Sequence, residues 1–559
     1  MPDSRSQSDL NPTVAPLLDE ALELHEQGAF EEAEKLYKNV LLLDPKNFTS
    51  IHCLGVIESQ RGHFQAALTL ISQALALNPR SAMAHLNKGI ALGRLNRYPE
   101  ALLHYQLSLA LNKNNPDALV NRGIALHCLN RHQEALASYD QCLALKPDFS
   151  LAHSNKIFTM DYLPDFGFEA QQRERRAFFN QLRPDPPAPF RNLRDPERRL
   201  VVGYVSADFF RHSAASCFGP VLLRHDRKAF KIIGYSGGAV VDDWTRRFQD
   251  HADLWRETGK LGDAELAAQI REDEVDILVD LSGHTSGNRL PVFARKPAPI
   301  QVTAWGHGGG TGLPMMDYQF TDPVLIPPEV RHLFAETAYD LPCAITFAKP
   351  EAPPVAPLPA LTKGYVTFGN FNRFMKVTPD LQALWARILL AVPGSRLLLK
   401  DARFEDPGHR DSLRQAFATL GVQPERIELL GFTSHQEHLA AYAAVDCVLD
   451  TFPQNGGITT WEALWMGAPV LTVLGNACGS RISGAILHAL ELDDWIAGDE
   501  ADYLRLAVAR ASNLAALADF RATLRTRIET SAAGNPDRYT EAVEAGYRAM
   551  WKQWLDLHP

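Results

Sequence analysis

The sequence predicts a helical solenoid followed by two doubly wound α/β lobes, and three observations predict it. A 34-residue period runs through the first third of the 559-residue chain. Strand-like apolar runs alternate with helical segments after about residue 197. That alternation stops at a proline-rich stretch, AKPEAPPVAPLPALTKG (348–364), and then starts again. The implied partition is a disordered N-terminus over 1–14, repeats over 15–156, a helical linker over 157–196, a first α/β lobe over 197–350 and a second over 360–559. A hydrophobic content of 46% with 22% charged residues is that of a globular chain able to bury several cores.

The repeats are read from columns. Ala21, Gly55, Gly89 and Gly123 keep the spacing, as do Ala33, Ala67, Ala101 and Ala135, and Phe30, Phe64, Tyr98 and His132. Pro45, Pro79 and Pro147 hold the same phase, with Lys113 in the remaining slot. Small residues at two fixed places let paired helices approach closely, and proline ends the second helix of each pair. The period and pattern resemble the tetratricopeptide repeat. Such a stack buries its core between neighbours and leaves a concave groove. Asn87, Asn121 and Asn155, again 34 apart, fall on that face. They are either a ladder of amides gripping the backbone of an extended peptide or plain polar residues on a solvated helix face.

After the linker, EAQQRERRAFFNQL and RPDPPAPFRNLRDPE, the texture changes. RLVVGYVSADF, FKIIGYSGG, VDILVDLSGH and IQVTAWGHGGG read as buried strands ending in polar or glycine-rich loops. YVTFGNFN, SRLLLKDA, RIELLGF, VDCVLDT and APVLTVLG repeat the pattern after the second break. Two Rossmann-like lobes place a cleft between the carboxyl ends of two sheets, so function belongs to the residues on those rims.

On the second rim, FPQNGGI joins a strand to the helix TTWEALWMG. Gly456 and Gly457 permit positive φ and close backbone approach, and Thr459 and Thr460 sit at the helix start with hydroxyls expected to face outward. That is an anion pocket suited to a diphosphate, with Glu462 one turn on to accept ribose hydroxyls. The rival reading is a capped helix with a tight turn. FGNFNRFMKVTPD adds Asn370, Asn372, Arg373 and Lys376; a lysine there neutralises a departing phosphate charge. On the first rim His212, His284 and His307 follow strand ends, with Asp208 and Asp280 nearby to orient them. His435 and His438 stand three apart, a spacing that can ligate a metal, but no further ligand accompanies them.

Exclusions narrow the class. A net charge of −10 argues against a general nucleic-acid partner. Seven scattered cysteines without C-x-x-C point to reduced thiols and a cytoplasmic protein. The N-terminal residues carry no apolar signal region, and no run of about 18 apolar residues is present, so neither secretion nor a membrane is expected. G-x-G-x-x-G, the P-loop pattern and D-x-D are all missing, which argues against dinucleotide oxidoreductases, P-loop NTPases and a metal-chelating nucleotide-sugar site.

The repeat array followed by GYVSADFFRHS, ILVDLSGHTSGNRL, RKPAPIQVTAWGHGGGTGLPMMDY, FGNFNRFMKVTP and DTFPQNGGITTWEALWMGAPVLT resembles the protein O-GlcNAc transferases and their SPINDLY relatives, over about residues 15–555. The resemblance implies a GT-B fold and inverting transfer of GlcNAc from UDP-GlcNAc to Ser/Thr hydroxyls of intracellular proteins, with no metal and no other cofactor. It implies that His212 is catalytic, near acceptor and donor, either as the base that takes the acceptor proton or as an orienter of substrate, that Lys376 is catalytic and holds phosphate, and that Asn372, Arg373, His435, His438, Gly457, Thr459, Thr460 and Glu462 hold the nucleotide sugar. Acceptor contacts would come from Asn87, Asn121, Asn155 and His284. The sequence departs from the animal enzymes at Arg373 (Gln there), His435 (Lys) and Glu462 (Asp), and it lacks their insertion between catalytic halves. Two alternatives stand beside the first reading: a protein O-fucosyltransferase using GDP-fucose, and a catalytically degenerate peptide-binding scaffold.

Overall fold

The computed structural model describes residues 13–182 and 189–558. Most of the segment expected to be disordered (1–12) and the proline-rich part of the linker (183–188) lie outside the described residues. The described residues form two compact units, divided along the chain between Thr159 and Met160.

The first unit is built from paired helices: α1 (Val14–Glu26), α2 (Phe30–Leu43), α3 (Phe48–Gln60), α4 (Phe64–Leu77), α5 (Ala82–Arg94), α6 (Tyr98–Leu111), α7 (Pro116–Cys128), α8 (His132–Leu145) and α9 (Ser150–Met160). The small columns do what close packing requires. A Cβ on Gly89 would stand 2.5 Å from the Tyr105 ring, and one on Gly55 2.7 Å from Ile71. Ala33, Ala67, Ala101 and Ala135 have no exposed surface. Two further columns complete the repeat. Asn47, Ser81 and Asn115 cap α3, α5 and α7 by accepting backbone N–H bonds. Gly28, Gly62, Asn96 and Asn130 take the left-handed conformation, φ between 59° and 83°, where each first helix turns into its partner. Only Gly and Asn enter that region cheaply.

The second unit opens with α10 (Phe168–Leu182) and contains two parallel sheets. The first comprises β1 (Leu200–Ser206), β2 (Phe230–Ser236), β3 (Leu254–Glu257), β4 (Ile277–Asp280), β5 (Ile300–Thr303), β6 (Tyr318–Thr321) and β7 (Thr337–Asp340), in the order β3-β2-β1-β4-β5-β6-β7. The second comprises β8 (Thr367–Asn370), β9 (Arg396–Lys400), β10 (Ile427–Leu430), β11 (Cys447–Leu449), β12 (Val470–Val473) and β13 (Ile496–Ala497), in the order β10-β9-β8-β11-β12-β13. Both share the reversal after the first strand that opens a crevice at the carboxyl ends. This is the two-lobed GT-B arrangement.

Nine of the thirteen strands coincide with the apolar runs quoted above. The other four, β3, β6, β7 and β13, are short, and β3 and β7 are sheet edges with sequences LWRE and TAYD that lack a buried apolar run. The second lobe also does not keep its own C-terminus. The last long helix, Pro536–Leu557, packs into the core of the first sheet through Tyr539, Val543, Tyr547, Met550, Trp551 and Trp554. Among the described residues, no helix is long and apolar enough to cross a membrane.

Candidate active site

The rim of the second lobe is organised by a buried carboxylate. β11 runs into Asp450, whose Oδ1 accepts the Gly456 N–H (2.9 Å) and the Asn372 amide (3.1 Å) and whose Oδ2 accepts the Thr472 hydroxyl (2.8 Å). Burial pushes the Asp450 carboxyl up against these bonds. Thr451 donates to the Gln454 carbonyl (2.7 Å), and the Asn455 amide returns to the Thr451 carbonyl (2.7 Å). The turn 450–456 is therefore tied before the next helix begins.

Three further helices matter here: α11 (Ser213–Leu222) in the first lobe, α12 (Ile458–Trp465) in the second, and α13 (Pro536–Leu557) after it. The helix after the Asp450 turn is thus α12, with Gly457 at its N-cap. Neither Gly456 nor Gly457 takes a positive φ, contrary to expectation. Crowding is the reason for Gly456: a Cβ there would lie 2.5 Å from the Thr460 hydroxyl and 2.9 Å from that of Thr459. The two threonine hydroxyls also do not face outward. Thr459 donates to Asn372 Oδ1, and Thr460 pairs with Ser483 (2.8 Å), which in turn donates to the Gly456 carbonyl (3.1 Å). The anion-binding capacity of this helix start rests on its backbone. The first ladder bonds are those of Thr460 and Trp461 N–H to the Gly457 carbonyl, so the amides of Ile458 and Thr459 lie outside the ladder.

Lys376 comes to the same turn from the loop after β8. Its Nζ donates to the Asn455 carbonyl at 2.5 Å. Burial lowers its pKa to about 8; Asp450 and Asp161 oppose the shift and Arg373 adds to it. Asn372 is the tie between the two loops, since its amide donates to Asp450 and Thr451 while its Oδ1 accepts from Thr459. Arg373 is exposed beside it.

Glu462 departs from the expectation that it awaits a ribose. It is 7% exposed, and its two oxygens are met by His435 Nε2 (2.8 Å) and His438 Nε2 (3.3 Å). Burial would raise its carboxyl pKa, but the two imidazoles outweigh burial and hold it below the usual range. His435 is half exposed, whereas His438 is mostly buried. Among the described residues, no group of three or more ligands with metal-holding geometry is found.

On the first rim, His212 caps α11, its Nδ1 accepting the Ala214 N–H (3.3 Å) and lying 3.8 Å from Asp208. α11 and α12 are in contact, which brings the two rims together. His284, expected to contact the acceptor, is 1% exposed, bonds the Thr311 carbonyl (2.8 Å) and stands edge-on to Phe178 (5.1 Å). Asp280 is likewise internal, accepting from Ser282 and Gly283 N–H and from Thr303. It is the first-lobe counterpart of Asp450. Each closes the loop after the fourth strand of its sheet order and takes a threonine hydroxyl from the neighbouring strand. The repeated strings VDILVD and VDCVLD were the available signal for both carboxylates.

Residues 183–347 and 358–543 match the profile of glycosyl transferase family 41, and residues 54–116 and 116–149 match tetratricopeptide repeats. The chain belongs to glycosyl transferase family 41. It is 38% identical over 423 residues to "Probable UDP-N-acetylglucosamine--peptide N-acetylglucosaminyltransferase SPINDLY" of Arabidopsis thaliana, covering 73% of this chain and 46% of that protein. It is 30% identical over 366 residues to the Arabidopsis protein of the same description named SEC, covering 63% and 37%. The chain thus spans about half the length, or less, of these curated relatives. A solved mutant of the Thermobaculum terrenum O-GlcNAc transferase matches at a TM-score of 0.75 and 30% identity, with 100% of each chain covered. The family 41 profile lies on both lobes, so it covers the Lys376 and His212 rims alike.

Proposed function

We propose that this family 41 member transfers GlcNAc from UDP-GlcNAc to Ser/Thr hydroxyls of proteins, with inversion and with protein cations in place of a metal. The observation that carries the reading is the Lys376 ammonium on the Asn455 carbonyl, beside the α12 amides. An acceptor oxygen forms a bond to the anomeric carbon as the bond from that carbon to the phosphate oxygen breaks. The electron pair leaves on the nucleoside diphosphate, where Lys376 and the amides of Ile458 and Thr459 stabilise it. His212 acts as an orienting donor: with Nδ1 engaged by the Ala214 amide, the neutral ring carries its proton on Nε2. The acceptor proton then passes to solvent. The UDP-N-acetylglucosamine--peptide N-acetylglucosaminyltransferase relatives support this choice of donor and peptide acceptor. Arg373, His435 and Glu462 favour a second reading, a GDP-sugar donor, because they depart from the animal enzymes where the nucleotide is held. The seven cysteines are all unpaired thiols, consistent with a reducing compartment inside the cell.

Thermal-shift titration with UDP, GDP, UDP-GlcNAc and GDP-fucose tests the reading, since a ligand at 100 times its Kd stabilises by about 2.7 kcal/mol. The expected result is a shift with UDP and UDP-GlcNAc, and mass-detected sugar on a Ser/Thr peptide. A shift with GDP ligands alone selects the second reading. No shift with any of the four leaves a peptide-binding scaffold.

A further inference from the structure

Asp161 follows α9 and precedes α10, far in sequence from both rims, yet its carboxylate is buried between them. Oδ2 accepts from His307 Nε2 at 2.6 Å and Oδ1 from Gln171 at 2.8 Å. Burial pushes this carboxyl up, but His307, Arg175 and Gln171 outweigh it and hold it below the ordinary value, so it stays ionised. The groups that fix it are themselves fixed. Gln172 and Arg175 of α10 donate to the carbonyls of Gly309 and Gly310 in the first-lobe glycine loop (2.6 and 3.1 Å), and Phe168 N–H donates to the Asn476 carbonyl of the second lobe (2.9 Å). On its other side Asp161 abuts Gly479: a Cβ there would stand 3.4 Å from Asp161 Cβ and collide with the Gln454 amide. The Gly479 carbonyl accepts the Asn455 N–H (2.8 Å), and the Asn455 carbonyl accepts Lys376.

A continuous path therefore runs from His307 through Asp161, Gly479 and Asn455 to Lys376. We propose that Asp161 is a positioning residue of the donor site, pinning the Gly479 turn under Asn455 and setting a fixed negative charge toward the Lys376 ammonium. The inference rests on the proposed use of Lys376 at the leaving group. The charged groups bearing on Lys376 are Asp450 from the end of β11, Arg373 from its own loop, and Asp161. Removing the Asp161 charge leaves Arg373 less opposed, so the ammonium loses its proton at lower pH.

The test is the pH profile of kcat/KM for the wild type, Asp161→Asn, Asp161→Glu and Lys376→Arg, the last with and without Asp161→Asn. Asp161→Asn is expected to move the alkaline limb to lower pH by at least about half a unit, as loss of a nearby opposite charge does. Asp161→Glu keeps the limb near its wild-type position. In the Lys376→Arg background, where the cation does not titrate, Asp161→Asn has no limb to move. If Asp161→Asn does not fold, Asp161→Ser is read in the same way. A uniform loss of rate at every pH, or an unmoved limb, overturns the proposal. Retained UDP affinity in the same variants separates that failure from a failure of the nucleotide-sugar reading itself.

Discussion

Lys376 is the residue to which the proposed reaction assigns the leaving group, and its setting gives a signed pH prediction. A lysine whose pKa is lowered to about 8 is charged below that pH and neutral above it. An ordinary lysine keeps its charge to about pH 10.4. If the departing diphosphate needs the ammonium, as proposed, kcat/KM should fall as pH rises through about 8, and the fall should be absent in Lys376→Arg. Lys376→Ala should lose about 10²–10³-fold at neutral pH, the scale for removing one preorganised stabiliser of developing charge. Initial-rate measurements from pH 6 to 9.5 decide it; a profile flat to pH 9.5 removes Lys376 from the leaving-group role. Lys376, Asn372 and the Gly456–Thr460 run were legible because strand ends followed by glycine and hydroxyl residues mark a rim in sequence. The inward bonds of Thr459 and Thr460 were not legible, because their partners, Asn372 and Ser483, come from other loops. Asp161 was hidden for the same reason. Its partner His307 lies 146 residues away, and only the fold joins them.

At the scale of elements, the repeat columns say which helices pair, and the asparagines say what their surface could hold. Asn87, Asn121 and Asn155 lie on α5, α7 and α9, the first helices of successive pairs, and each is half-buried. One amide N–H of Asn121 and of Asn155 donates to its own helix, to Asp117 and Leu151 carbonyls (2.8 Å each), while Asn87 pairs with His52 (3.0 Å). Those bonds engage one amide N–H of each side chain, and the proposed ladder would use the amide carbonyls as acceptors for peptide N–H groups. At about 0.5–1.5 kcal/mol per hydrogen bond, replacing all three by Ala should weaken transfer to protein acceptors by about tenfold or more. Hydrolysis of the donor should be unchanged. Equal losses in the two assays would reduce the ladder to solvated polar residues. The period exposed the helices without ambiguity because every repeat solves one packing problem with one residue set. The edge strands β3 and β7 gave no such signal, since a half-exposed strand needs no apolar run.

At the scale of the molecule, the two lobes of the second unit are not independent beads in sequence order. α13 leaves the second lobe and completes the core of the first, with Tyr547 bonded to Tyr204 of β1 (3.0 Å) and Tyr539 to Trp305 (3.0 Å). Trp551 is fully buried there, stacked on Trp554 at 5.1 Å, donating to the Asp195 carbonyl (3.1 Å) and lying under the Arg198 guanidinium. Nothing in the local sequence of α13 told its destination, because an amphipathic helix is equally suited to either sheet. The consequence is testable by location as well as size. Trp551→Ala should cost about 3–5 kcal/mol, the usual range for deleting a fully buried aromatic. Because the lost contacts face the first sheet, amide exchange should quicken in β1, β2 and β5 before it does in β8, β9 and β11. A variant that loosens the second sheet first would assign α13 to that lobe's stability and separate the two rims energetically. Loosening of the first sheet first ties the His212 rim to this helix, so that the two lobes are held in register by one segment that leaves the second and packs on the first.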